Sequence, residues 1–299
     1  MTPSTTPALK PSRFSLALRA SAAWAAMGFG LGFSGPVGEA LADQLGFGRT
    51  GRQAVTAVLV SLIVVSIVLA LCRLDRRPLA ALGIGSAASS LRAFSLGVLV
   101  TGGSAAVVIV PAGIGGWIEF GPVDWPALIL FLGLNALIAF GLEALPEELV
   151  FRGYIHSTLA QRGRKSAFVL TTVLFALIMV PISAVAAGTV LALGGDAEGV
   201  VLAPAGEDPV TYLVLMVFFG ATLLTARIAT GSLWASIAVH LTFLTVNRLV
   251  FANAGRDTGW QVDAAPDAAV LVLAYLVLTT VVFALLKRRS RTAADRARR

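Results

Sequence analysis

Glu147-Glu148-Leu149-Val150-Phe151-Arg152-Gly153 sets two adjacent carboxylates and a guanidinium at the end of a long apolar run. Ionisable groups in a membrane-crossing helix cost a few kcal/mol or more each, so they are read first as functional groups. Glu148 and Arg152 are four residues apart, share a helix face and can pair. Glu147 points about a quarter-turn away. Its carboxylate stays free for other chemistry, such as taking a proton from water. The bland alternative is a Glu–Arg pair that only anchors a helix end at the membrane interface.

Composition says what must position these groups. Of 299 residues, 57% are hydrophobic and 13% charged, against about 25% charged in soluble domains. This is the composition of a polytopic membrane protein. The net charge of +7 sits at the chain ends and in short loops between apolar runs. That fits a positive-inside bias and not nucleic-acid binding. The tail from Lys287 to Arg299 fits a cytoplasmic segment against anionic lipid. Cys72 stands alone, so no internal disulfide forms. The start Met1-Thr2-Pro3-Ser4 lacks a small-residue cleavage site before the first apolar run, which favours a retained first helix.

Apolar runs long enough to span a bilayer fall near 14–35, 54–72, 93–115, 126–150, 166–187, 211–229, 232–252 and 267–286. The expected fold is an all-α polytopic bundle of about eight transmembrane helices. The first run is the weakest, because it carries Arg19 and several glycines. Basic residues (Lys10 and Arg13; Arg73, Arg76, Arg77 and Arg92; Arg162, Arg164 and Lys165; Arg227; the tail) alternate with acidic or mixed loops, from Glu39 and Asp43 to Asp263 and Asp267. That alternation predicts both termini in the cytoplasm, in the cell membrane. The 188–210 stretch, rich in Gly, Ala, Asp and Pro, is expected to be a flexible external connection.

This topology gathers polar residues at one depth. The helix carrying the Glu pair is expected to run on to about Leu159 or Ala160. Pro146 should free the carbonyl of Leu142 and bend it. Glu143 lies one turn before Glu147, so the two share a face. His240 comes about nine residues into the seventh run, roughly 14 Å at 1.5 Å per residue, at a depth the Glu pair can share. His156 is expected at the interface. Asn247, two turns after His240, is either site support or a helix-contact amide.

The string Pro146-Glu147-Glu148-Leu149-Val150-Phe151-Arg152-Gly153-Tyr154 resembles the first motif of the CPBP intramembrane proteases. These are the type II CAAX prenyl endopeptidases and their bacterial relatives, including bacteriocin-immunity proteins. Gly231-Ser232-Leu233-Trp234 through His240 is similar to that family's later His-bearing helix. The resemblance covers roughly 90–255. It divides the chain into N-terminal helices at 1–92, a protease-like core at 93–255, and a last helix with its tail at 256–299. It implies a helical bundle with a conical cavity facing the cytoplasm, and endopeptidase action on a membrane-associated protein or peptide. Glu147 would be the general base or a metal ligand, with Glu148 and Arg152 orienting it.

Two positions depart from the family pattern. Met179 stands four residues after Phe175, where the motif has histidine, and Leu244 replaces the Asn or Asp four residues after His240. A thioether neither ligates zinc well nor transfers protons. If the implied zinc is bound, Glu147, His240 and either Glu143 or Glu148 are its ligands; without metal, Glu147 acts as base and His240, with Asn247, faces the oxyanion. The departures keep a second alternative open, a non-catalytic scaffold or immunity protein that holds a membrane segment in the same cavity. A third alternative is a solute transporter with proton-relay carboxylates. It lacks visible inverted repeats.

Overall fold

A computed structural model describes residues 13–252 and 256–297. Lys10 and Arg298-Arg299, which entered the charge argument, lie outside the described residues. Among those described, eight helical runs are long and apolar enough to cross a membrane: 14–44, 49–74, 79–114, 125–159, 164–192, 209–230, 233–250 and 266–289. The fold is the expected polytopic helical bundle. Its outer face is apolar, with Leu99 71% and Leu137 73% exposed. A surface of that kind needs lipid to cover it.

The first helix, α1 (Arg13–Gln44), runs well past the expected end, with Pro36 inside it. Arg19 and two of the glycines that made this run look weak have partners. Arg19 pairs with Asp75 at 2.9 Å. Asp75 also accepts from the Tyr154 hydroxyl at 2.7 Å. A Cβ on Gly28 would lie 2.4 Å from Pro181 Cβ, and one on Gly32 would lie 2.4 Å from the Ile182 carbonyl. These glycines let α1 close on α8 (Met179–Ala192), as small residues do between membrane helices. The second and third runs are α2 (Arg49–Leu74) and α3 (Ala87–Ile114).

One element is not helical. Strand β1 (Ile118–Val123) pairs antiparallel with β2 (Trp260–Ala264), joining the loop before the fourth run to the loop after the seventh. Residue pattern alone hardly signals it, since Gly121 and Pro122 break the strand pattern and a register shift separates Phe120 from Val123. The stretch 188–210 is also more structured than expected. Helix α8 continues to Ala192, and the Ser183 hydroxyl accepts from the Val201 amide at 3.0 Å.

The fourth run carries the Glu pair and is the least regular helix. It passes from α4 (Trp125–Ala139) through a π-helical turn (Phe140–Ala144) to α5 (Leu145–Glu148). A second π segment (Leu149–Ile155) leads into α6 (His156–Leu159). At the first π turn the physical cause is Pro146. In π register the amide of residue i+5 meets the carbonyl of residue i, as Leu145 does with Phe140. The next such bond would join residue 146 to Gly141, and proline has no N–H. The hydroxyl of Ser61 on α2 donates to the Gly141 oxygen instead, at 2.5 Å. The carbonyl rescued by a side chain is therefore Gly141, not the Leu142 carbonyl expected from an α-helical count. Ser61→Ala is expected to destabilise the protein by about 1–2 kcal/mol, the cost of a buried carbonyl left without a donor. A thermal-unfolding midpoint equal to that of the parent would show that Gly141 finds another partner.

The remaining elements are α7 (Arg164–Ala176), α9 (Pro209–Thr230), α10 (Leu233–Val250) and α11 (Val270–Ala297). Their inward rings form one buried cluster with the Glu-bearing segment, including Phe151, Phe175, Phe219, Phe243 and Tyr275.

Candidate active site

Glu148 is fully buried on α5, and so is Arg152 one turn on. Glu148 Oε1 accepts from Arg152 Nη1 at 3.1 Å and lies 3.0 Å from His240 Nδ1. Arg152 Nη2 donates to the Gly220 carbonyl on α9 at 3.2 Å, and its guanidinium lies 4.0 Å over the Phe175 ring on α7. His240, 2% exposed, is packed edge-on by Phe219 at 4.9 Å. Four elements thus converge on one buried ion pair.

This arrangement fixes the histidine. An ionised carboxylate only accepts, so the Glu148–His240 contact places the proton on Nδ1 and leaves Nε2 for another partner. Carboxylate oxygens commonly set a ring's tautomer and orientation in this way. Glu148 Oε2 and Arg152 Nε, both buried, have no hydrogen-bond partner among the described residues. Glu147 is 9% exposed. Its carboxylate makes no hydrogen bond or ion pair to a described residue. The two adjacent glutamates therefore differ in kind: one is held on two sides, the other is unengaged.

The other expected residues go elsewhere. Glu143 pairs with Arg248 on α10. Arg248 also donates to Asn135 Oδ1 at 2.8 Å, and Asn135 donates to Thr245 at 3.0 Å. Asn247, expected as site support or a contact amide, serves as the contact: its amide donates to the Phe243 carbonyl at 2.7 Å and to the Tyr275 hydroxyl at 2.6 Å. Leu244 packs against the apolar cluster. Met179 is half-buried and opens α8, whose main packing partner is α1. His156 lines a cavity at the basic end of the bundle.

Sequence reasoning missed Arg248, Asn135, Gly220 and Phe219. Arg248 had a signal, since it is a charged residue eight positions after His240 in an apolar run. Gly220 acts through its backbone, which no side-chain pattern shows.

Two cavities touch the Glu-bearing run on either side of the ion pair in sequence, and neither is lined by Glu147, Glu148, Arg152 or His240. One, of about 800 Å³, opens at the basic end beside His156, Arg164 and Arg227. The other, of about 410 Å³, is lined by Asn135, Leu142, Arg248 and Arg256 and reaches the turn that precedes Glu147. At its mouth, burial pushes the Arg256 pKa down, and the nearby positive charges of Arg248 and Arg49 add to the effect.

Among the described residues no group of three His, Cys, Asp or Glu side chains is placed to hold a metal ion. The expected third ligands are engaged, Glu143 by Arg248 and Glu148 by Arg152 and His240. A catalytic zinc takes three protein ligands and an open position. Among the described residues the donor set does not supply three free ligands for one.

The sequence model of the Rce1-like family, type II CAAX prenyl endopeptidase Rce1-like, matches residues 125–246. Comparison with curated proteins and with solved structures gave no match. The matched stretch begins at the start of α4 and ends within α10, so it encloses Glu147, Glu148, Arg152 and His240. This is an integral, multi-pass membrane protein whose stretch 125–246 is similar to the Rce1-like type II CAAX prenyl endopeptidases.

Proposed function

We propose that the chain is an intramembrane endopeptidase of the CAAX-protease type, hydrolysing a peptide bond of a membrane-associated protein or peptide. The observation that carries this reading is the contrast between the two glutamates. Arg152, Glu148 and His240 form a buried linkage beside a Glu147 carboxylate that makes no hydrogen bond or ion pair with a described residue. In the proposed reaction Glu147 takes a proton from water as the water oxygen attacks the substrate carbonyl carbon. It returns that proton to the amide nitrogen as the C–N bond breaks. His240, oriented through Nδ1 by Glu148, directs Nε2 at the same space. When the ring carries both protons, that nitrogen donates to the developing oxyanion. Purified protein in proteoliposomes, incubated with a quenched membrane-anchored peptide, tests the reading. Signal from the parent and none from Glu147→Ala supports it; no signal from the parent rejects it.

The topology proposed with this function puts both termini on the cytoplasmic side of the cell membrane, as the basic loops require. A cysteine introduced at Arg288, in a Cys72→Ser background, should react with an impermeant thiol reagent only after the cells are opened. Reaction in intact cells rejects this orientation.

One observation favours the alternative of a non-catalytic scaffold or immunity-type relative. Met179, at the head of α8, supplies no proton, ligand or strong hydrogen bond where the resemblance implies histidine. The two readings predict opposite results for Met179→His. In a working protease a restored donor raises turnover, by up to about 100-fold if it acts only in the transition state. In a scaffold the substitution creates no cleavage.

A further inference from the structure

The cavity at the basic end lies between α6, α7, α9 and α11. Its charged lining consists of Arg164 and Lys165 at the start of α7, Arg227 in the last turn of α9, and Lys287 on α11. No acidic side chain lines it. Arg227 is the informative member. It makes no hydrogen bond or ion pair with any described residue, and its Nε is wholly buried without a partner. The fold holds it there: its guanidinium sits against Gly83, where an added Cβ would come within 2.4 Å of it. Gly83 has φ +89°, which also favours glycine.

A half-buried guanidinium whose Nε is desolvated and unpartnered is costly, and an anionic ligand would relieve it. Several features select the class of anion. Arg164, Lys165 and Arg227 around a cavity with no carboxylate in its lining suit a group with more than one charged oxygen, and arginine suits phosphate by its geometry. Phe168, Val169 and Ile228 give the same cavity an apolar wall. The cationic residues lie at helix ends, the depth at which lipid headgroups meet a membrane protein. Basic pockets between helices on that side of a membrane are the sort that take phospholipid headgroups. We propose that this cavity binds the phosphate headgroup of an anionic phospholipid, with Arg227 as the inner contact and Arg164 and Lys165 at the rim. This assignment does not depend on proteolysis.

The test uses the full chain, purified in neutral detergent and stripped of lipid. Phosphatidylglycerol, phosphatidylcholine and inorganic phosphate are titrated separately, with bound lipid read by native mass spectrometry and stability by the thermal midpoint. Phosphatidylglycerol is expected to bind and raise the midpoint, and the other two are not. Arg164→Gln with Lys165→Gln, both at exposed positions, should weaken phosphatidylglycerol binding on the order of 25-fold, from about 5-fold per surface charge. Arg227→Gln should abolish the lipid-dependent rise without lowering the lipid-free midpoint, because it removes a charge that has no partner. Equal response to phosphatidylcholine overturns the proposal. So does protection by inorganic phosphate alone, which reports an anion site without lipid selectivity. Unchanged binding in the double rim variant overturns it even if Arg227→Gln fails to fold.

Discussion

Glu147→Gln is expected to lower peptide hydrolysis by about 100- to 10,000-fold, the usual contribution of a positioned general base. The loss should appear in kcat with little change in KM, because an amide of the same shape keeps the packing but cannot accept the proton. The thermal midpoint should stay close to that of the parent. Glu147 makes no hydrogen bond or ion pair to a described residue, so its replacement leaves no buried group stranded. That combination distinguishes a base from a structural carboxylate, whose loss lowers stability and activity together. If Glu147→Gln retains parental kcat, another group takes the proton and the assignment fails.

Arg152→Ala is expected to produce the largest stability loss of any single substitution at the site, about 3–5 kcal/mol. It strands the wholly buried Glu148 carboxylate, removes the donor to the Gly220 carbonyl and opens a void under Phe175. The companion experiment is the double variant Arg152→Met with Glu148→Gln. Replacing a buried pair by neutral side chains of similar size is often close to neutral for stability. The double variant should therefore recover most of the midpoint lost by Arg152→Ala, while activity stays low because His240 has lost the carboxylate that orients Nδ1. Equal loss of stability in both would mean that packing against Phe175, and not the stranded charge, sets the cost.

Much of this was legible before the structure. Hydropathy marked all eight membrane runs, since a lipid-exposed helix must be apolar along its length whatever it packs against. The spacing of Glu148 and Arg152 gave their pairing, and the depth estimate put His240 near them. What stayed hidden depended on partners distant in sequence. Glycines of α1 that look like helix breakers, Gly28 and Gly32, serve as contact points for Pro181 and Ile182. The π turns at 140–144 and 149–155 escaped because residue spacing assumes an α-helix, and the rescue of Gly141 comes from Ser61 on another helix. Asn247 lies on the expected helix, but its amide is taken by Tyr275 on α11, a partnership that no local pattern encodes.

The most direct measurement is the mass of the products formed from one membrane-anchored peptide by the parent and by Glu147→Gln, each reconstituted alone in liposomes. The account predicts a single cut by the parent, giving two fragments whose masses sum to that of the substrate plus one water, and intact peptide with Glu147→Gln. Intact peptide with both proteins, or the same fragments from both, would contradict it.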